Sequence, residues 1–528
     1  MKINHLLIAT VCLMVFTSCS KETEKVPPNI LFCISDDQSF PHASAYGCDW
    51  VKTPAFDRIA ENGLLFTNAY TNNAKCAPSR ASILTGRNSW QLESGANHVG
   101  YYPAKFKTVF ESLKDGGYHT GRTAKGYSPG IVENVNGKKR LLEGKVYNEL
   151  KTTPPAKGMS PIDYSANFNA FLEDNKEGEP FAFWYGGIEP HRAYEFESGI
   201  KKGGKKRSDI DKVPAYWVDN DTVRADMLDY AFEIEYFDSQ LQKMLDILEE
   251  KGMLENTLIV VTSDNGMPFP RVKAQEYPFS CHLPLAIMWA DGINKPGRKI
   301  TDFISNIDFA PTFLEAAGIS EAESGMEKIT GKSLFNIFNS EKEGRIEKER
   351  NHVLVGKERH DTGRPGDVGY PIRAIISDDY TYLHNYEPNR WPTGRPETGY
   401  LDCDGGPTKT ILLDGYKTAT HNLWELSFGK RVSEEFYDLR EDPDCMMNLA
   451  GNTADLAKQK YWSDLMEATL TEQKDPRALG NGAVFETYPV FPSQRGFYKK
   501  FTSGEKTNHG WVNDTDFRPE QNIELNKQ

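Results

Sequence analysis

The residues best suited to chemistry lie in a few short stretches. Cys76-Ala77-Pro78-Ser79-Arg80 sets an arginine four residues after a cysteine and runs on into the small-residue helical pattern Ala81-Ser82-Ile83-Leu84. On a helix that spacing puts the guanidinium one turn from the thiol, on the same face. Pro78 fits a helix's first turn, where its missing N–H costs nothing. Asp36-Asp37 pairs two carboxylates, and Asp264-Asn265-Gly266 adds a carboxylate and an amide oxygen. An oxygen-rich loop of that kind suits a hard cation such as Ca2+. Lys125 and Lys273 supply positive charge, and Pro190-His191 supplies an imidazole able to move a proton near neutral pH. Each stretch also has an ordinary structural reading: Asp-Asp as a helix cap, Asn-Gly as a turn, Cys-x-Pro-Ser-Arg as a turn before a helix. What separates the two readings is where the stretches fall.

They fall at the ends of apolar strands. Residues 29–35 form a continuous apolar run of the buried parallel type, which empties into Asp36-Asp37. Residues 66–70 lead to Cys76, 118–125 end at Lys125, 180–187 precede His191, and the β-branched run 257–263 ends at Asp264. Open α/β sheets bind their ligands at the carboxyl ends of such strands. Residues 53–63, 107–114, 224–251 and 305–314 have helical patterns. In 224–251 the apolar stripe Met227, Ala231, Ile234, Phe237, Leu241, Leu245 and Leu248 marks a packed face. Residues 126–175 read as polar loop. From about Gly369 the pattern changes to a hairpin (370–377 and 380–386), followed by a stretch at 435–443 that resembles the closing strand and turn of a known family's carboxyl-terminal subdomain, and a helix at 455–472. The whole predicts an α/β protein with a catalytic domain over 29–368 and a smaller α+β subdomain over 369–528 that carries an antiparallel sheet.

The chain has 528 residues, 38% hydrophobic and 26% charged, the composition of a globular protein of more than one core. A net charge of −13 argues against nucleic acid as a partner, because a phosphate backbone needs a cationic surface. It does not exclude an anionic substrate, since a few cations in one cleft set the local field. At the amino terminus Lys2 and His5 precede the apolar run 6–16, too short to span a membrane. It ends in Phe16-Thr17-Ser18-Cys19, which resembles a bacterial lipobox. In that reading residues 1–19 are a signal peptide with its lipobox, Cys19 carries a lipid anchor on the outer membrane, facing the periplasm or the cell surface, and 20–28 are a tether. A plain secretory signal is the alternative. Apart from Cys12, Cys19 and Cys76, the cysteines are Cys33, Cys48, Cys281, Cys403 and Cys445. No C-x-x-C pair occurs, so neither a zinc site nor a dense disulfide framework is indicated, and one or two disulfides stay open.

Taken in this order, Cys76-Ala77-Pro78-Ser79-Arg80, Lys125, Pro190-His191 and Ser263-Asp264-Asn265-Gly266 resemble the signature of the type I sulfatases. The resemblance implies an alkaline-phosphatase-like fold, a large mixed sheet flanked by helices. It implies that a formylglycine-generating maturation enzyme oxidises Cys76 to formylglycine, whose hydrated aldehyde is the nucleophile. Asp36, Asp37, Asp264, Asn265 and the modified residue 76 would then ligate Ca2+, with Mg2+ less suited because of its stricter geometry. Arg80 would hold the hydroxyls of residue 76, Lys125 and Lys273 the sulfate oxygens, and His191 would give a proton to the leaving group. The stretches 264–270 and 369–374 resemble the N-sulfoglucosamine sulfohydrolase (heparan N-sulfatase) branch. That implies a glycosaminoglycan-type sulfated saccharide, N-sulfoglucosamine of heparan or heparin, with an O-sulfate on another host or algal saccharide as the alternative. His98, Arg359, His360 and Asp361 are candidate sugar contacts. Tyr127 departs from the pattern by standing where the family usually has a histidine, which would place a phenol beside the leaving group. The alternative of another class is a catalytically dead glycan-binding lipoprotein.

Overall fold

The computed structural model describes residues 27–176 and 178–522. The expected signal peptide and the acylated Cys19 lie outside the described residues. The strand Asn29–Ser35 is the middle of the molecule. It pairs in parallel with Phe181–Gly186 on one side and with Thr257–Ser263 on the other. Beyond the first neighbour His119–Ala124 continues the parallel set; beyond the second, His282–Met288 and then Leu64–Tyr70 run antiparallel to their neighbours. Nine strands in all make a mixed sheet.

Both faces of that sheet are covered, which is why its strands read as unbroken apolar runs. Ile30, Phe32 and Ile34 point to a core shared with helices Cys76–Thr85, Val109–Asp115 and Phe309–Ala316. Leu31 and Cys33, one residue out of phase, point to the opposite core with helices Pro54–Glu61, Tyr164–Asp174 and Asp221–Glu250. In the last of these the expected stripe of Met227, Ala231, Ile234, Phe237, Leu241, Leu245 and Leu248 is buried. Helix Tyr164–Asp174 corrects the expectation of loop over 126–175: Tyr164, Phe168, Phe171 and Leu172 recur at helical spacing and are buried.

The second sheet has four antiparallel strands, His352–Lys357, Ile372–Ser377, Tyr380–Asn385 and Glu434–Asp438. Its first strand comes from ahead of residue 369. Helix Leu456–Glu472 covers it, contributing Met466 and Leu470 to a core with Leu354, Ile375, Tyr382 and Phe436. All six cysteines among the described residues are free and buried, so the disulfides left open are not formed there. No helix among the described residues is long and apolar enough to cross a membrane.

One buried ion pair fastens the segment that follows this helix to the second sheet. Arg373, 1% exposed, donates to both oxygens of Asp475, 0% exposed, at 2.8 and 3.0 Å, and to Glu358 Oε1 at 2.8 Å. Removing one partner of such a pair strands a charge in a low dielectric. Asp475→Ala is therefore expected to lower the unfolding free energy by about 3–5 kcal/mol, read from urea unfolding. A loss below about 1 kcal/mol would show that the pair does not hold this junction.

Candidate active site

Four neighbouring parallel strands deliver side chains to one edge. Thr257–Ser263 gives way to Asp264, Asn29–Ser35 to Asp36 and Asp37, His119–Ala124 to Lys125, and Phe181–Gly186 to the loop that ends at His191. The loops are cross-tied. Asp37 N donates to Asp264 Oδ1 at 3.1 Å, Asp264 N to the Ser35 carbonyl at 3.2 Å, and Asp36 N to the Glu189 carbonyl at 3.1 Å. Helix Cys76–Thr85 starts at the same edge, anchored by Ser79 Oγ on the Asp264 carbonyl at 2.6 Å. Asp37, Ala124 and Ala274 have φ of 76°, 57° and 63°, left-handed values uncommon outside glycine. Each either is a site residue or adjoins one, and such strain persists only where the surrounding structure enforces it.

Ligand-capable atoms of Asp36, Asp37, Asp264 and Cys76 all lie within 4.8 Å of one another, and all four residues are buried. Asn265 joins them, its Nδ2 donating to Asp37 Oδ1 at 2.6 Å, while its Oδ1 is buried without a hydrogen-bond partner. Carboxylate and amide oxygens, one of them orphaned, with no imidazole in the set, fit a hard divalent cation. The carboxylates are partly neutralised by neighbouring cations. Arg80 Nε donates to Asp264 Oδ2 at 2.8 Å, its second nitrogen lies 3.5 Å from Asp36 Oδ1, and its third donates to the Lys125 carbonyl at 2.8 Å. At Asp36 burial pushes the carboxyl up, but Lys125, His191 and Arg80 outweigh it and hold the group at about 2. At Asp264 burial outweighs Arg80 and the carboxyl rises above its usual range.

Cys76 Sγ lies 3.3 Å from Asp36 Oδ1. Burial, reinforced by Asp36, pushes its thiol well above the ordinary value. A thiol held protonated is a poor nucleophile, so the encoded cysteine is unsuited to attack as it stands.

Around the cluster sit the expected cations. Lys125 Nζ is 2.5 Å from Asp36 Oδ2, and Lys273 Nζ is 2.6 Å from Asp37 Oδ2. His191 is partly exposed. Its Nδ1 lies 2.6 Å from the Arg192 carbonyl, which fixes the proton there, and its Nε2 faces Asp37 Oδ2 at 3.9 Å. Two residues go unnoticed in the sequence reading. Asp404 Oδ2 is 2.6 Å from Lys273 Nζ, and Lys75, next to Cys76 in the chain, pairs with Asp361 at 3.0 Å. Adjacency to Cys76 could have pointed to Lys75; Asp404 lies in the glycine-rich run 402–406, with no strand end to mark it.

The expected sugar contacts separate. Asp361 and His98 come together at 3.2 Å beside Lys75. Arg359 instead donates to the carbonyls of Tyr488 and Pro489, and His360 is fully buried against Asn73 Oδ1 at 2.9 Å. The placement of Tyr127 beside a leaving group is also corrected. Its ring packs edge-on to Tyr102 in the core, its amide is held by Glu143, and its hydroxyl is buried without a hydrogen-bond partner.

Comparison with known proteins agrees with this architecture. A family model described as Sulfatase matches residues 28–319, and one described as N-sulphoglucosamine sulphohydrolase, C-terminal, matches residues 273–387. An ulvan-active sulfatase of Formosa agariphila is 25% identical over 96% of this chain and 92% of its own length. The N-sulphoglucosamine sulphohydrolase of Homo sapiens is 24% identical over 87% of this chain and 93% of its own. A solved structure in complex with its substrate D-glucosamine-2-N,6-O-disulfate superposes with a TM-score of 0.61 at 21% identity, covering 85% of this chain and 99% of the other. The fold is thus the alkaline-phosphatase-like one, a large mixed sheet with a smaller antiparallel sheet following it. With more than half of its length matched by the first of these family models, the chain belongs to the sulfatase family, the hydrolases of sulfate esters.

Proposed function

We propose that this sulfatase removes sulfate from a glycosaminoglycan-type saccharide, with N-sulfoglucosamine as its sugar, using Ca2+ and a formylglycine made from Cys76. The carrying observation is the buried set Asp36, Asp37, Asp264 and Cys76 with the orphaned Asn265 oxygen, flanked by Lys125 and Lys273. The sulfated-glycan class is supported by the names of the relatives, and the N-sulfate by the match of residues 273–387. Attachment through Cys19, in the periplasm or at the cell surface, belongs to the same reading and rests on Phe16-Thr17-Ser18-Cys19.

Asp36, Asp37, Asp264 and Asn265 would hold the calcium, which when bound withdraws electron density from a sulfate oxygen. Formylglycine would supply the oxygen nucleophile that the protonated thiol cannot. The remaining roles belong to the chain's own residues. Arg80, locked by Asp264 and the Lys125 carbonyl, keeps residue 76 in one orientation. Lys125 and Lys273 bind sulfate oxygens and offset the negative charge that grows on them, from positions already fixed by Asp36 and Asp37. His191, when protonated on both ring nitrogens, keeps Nδ1–H on the Arg192 carbonyl and delivers the Nε2 proton to the departing atom, leaving a neutral imidazole. Asp361, paired with His98 and Lys75, would read a sugar hydroxyl.

Three outcomes are expected. Cys76→Ala abolishes turnover, by about a thousandfold or more, while far-UV circular dichroism stays as in the parent; peptide mass spectrometry of the parent finds the Cys76 peptide lighter by roughly 18 Da, thiol sulfur having been replaced by carbonyl oxygen. Full activity in a well-folded Cys76→Ala chain would remove the nucleophile assignment. Chelation lowers the melting temperature, because it leaves the carboxylates facing one another, and Ca2+ restores it more fully than Mg2+; a melting temperature indifferent to chelator would count against the metal. On a panel of defined monosaccharides, N-sulfoglucosamine is turned over with a kcat/KM at least about tenfold above that of 2-O-, 3-O- or 6-O-sulfated sugars, whereas preference for an O-sulfate would transfer the substrate to the alternative class.

A further inference from the structure

A carboxylate stands inside the cation cradle. Asp404 Oδ2 lies 2.6 Å from Lys273 Nζ, the same ammonium that lies 2.6 Å from Asp37. One oxygen of Asp404 is within 4.8 Å of ligand-capable atoms of both Asp37 and His191. Lys75 and His191 also face it, although Lys75 has its nearest partner in Asp361 at 3.0 Å.

Its position is built. Lys409 Nζ donates to the Cys403 carbonyl at 2.7 Å and pairs with Asp516 at 3.2 Å, with both side chains 0% exposed. Gly405 N donates to the Trp511 carbonyl at 2.7 Å. Gly406 lies so close under the Arg192 guanidinium that a Cβ there would come within 2.4 Å of it, and Thr408 Oγ1 donates at 2.6 Å to Asp226, the partner of Arg192. The carboxyl-terminal segment and the His191 loop thus grip the Asp404 loop from two sides. The backbone that carries the carboxylate is therefore fixed on either side of Asp404.

A fixed negative charge opposes every anion, in proportion to the charge that anion carries. A sulfate ester or sulfamate carries one negative charge. A phosphate monoester carries about −1.5 to −2 at pH 7, and free sulfate carries two. We infer that Asp404 is a charge-selecting residue, which sets this cradle for a singly charged sulfate group and against doubly charged phosphate monoesters and the released sulfate. The inference rests on the proposed binding of sulfate in this cleft. It adds a reason for a carboxylate beside a sulfate lysine: the substrate is admitted, while a common cellular competitor and the product are disfavoured.

The test uses the calcium-loaded chain carrying Cys76→Ala, so that esters bind without turnover, and measures phenyl sulfate and phenyl phosphate by calorimetry. Adding Asp404→Asn is expected to shift the affinity ratio toward phenyl phosphate by about tenfold or more; Asp404→Glu, which restores the charge, returns the ratio most of the way. A second measurement follows the ratio from pH 5 to 8 in the parent and in Asp404→Asn, both of which keep His191, Lys125, Lys273 and Lys75 around the anion. Phenyl phosphate loses its second proton near pH 6 while phenyl sulfate keeps one charge, so the gap between the two ratios widens from pH 5 to 8. An Asp404→Asn ratio equal to the parent's, or a gap that does not widen across that range, would overturn charge selection. Failure of phenyl sulfate to bind the parent at all would overturn the sulfatase reading instead.

Discussion

Everything at this site depends on keeping carboxylates together that repel one another. Two unit charges 4 Å apart are worth about 4 kcal/mol at an effective dielectric of 20, and Asp36, Asp37 and Asp264 lie within 4.8 Å of each other inside the protein. The chain meets that cost with three cations aimed at three carboxylates. Arg80 goes to Asp264, Lys125 to Asp36 and Lys273 to Asp37. A hard divalent ion would add to that compensation, and the orphaned Asn265 oxygen offers it one more ligand.

The fold serves this balance in two portions. The parallel strands bring the acids and Lys125 to one edge, and their burial on both faces leaves the loops no freedom to spread. Left-handed backbone at Asp37, Ala124 and Ala274 turns the chain sharply just where a side chain must be presented. The later portion contributes Asp361 and Asp404, which pair with Lys75 and Lys273. It is held to the first through Thr408, whose hydroxyl donates at 2.6 Å to Asp226, the partner of Arg192. The carboxyl-terminal region therefore takes part in the electrostatics of the cleft as well as covering it.

Much of the first portion was legible in the sequence, because a buried strand followed by a charged residue leaves a local trace. The run 29–35 is a strand over the same residues in the structure, as is 257–263, and each ends at the acids expected of it. The helix Tyr164–Asp174 carried a trace too, in Tyr164, Phe168, Phe171 and Leu172, but the polar residues around it masked the period. Asp404 left no local trace, since its partner Lys273 is 131 residues away and a Gly-rich loop holds it. Tyr127 misled for a related reason. Spacing from Lys125 places its backbone correctly, yet whether the ring faces the cleft or the core is decided by packing against Tyr102, which spacing cannot report.

The orientation of Tyr127 bears on the sugar as well. With its hydroxyl buried in the core, the imidazole at the cluster is that of His191. Under the proposed mechanism the departing atom then has one acid to draw on. An amine released without a proton is a far stronger base than an alkoxide, so a sulfamate depends on that one proton even more than a sugar sulfate ester does. If the substrate is the proposed N-sulfate, His191 is therefore the residue on which turnover rests most heavily.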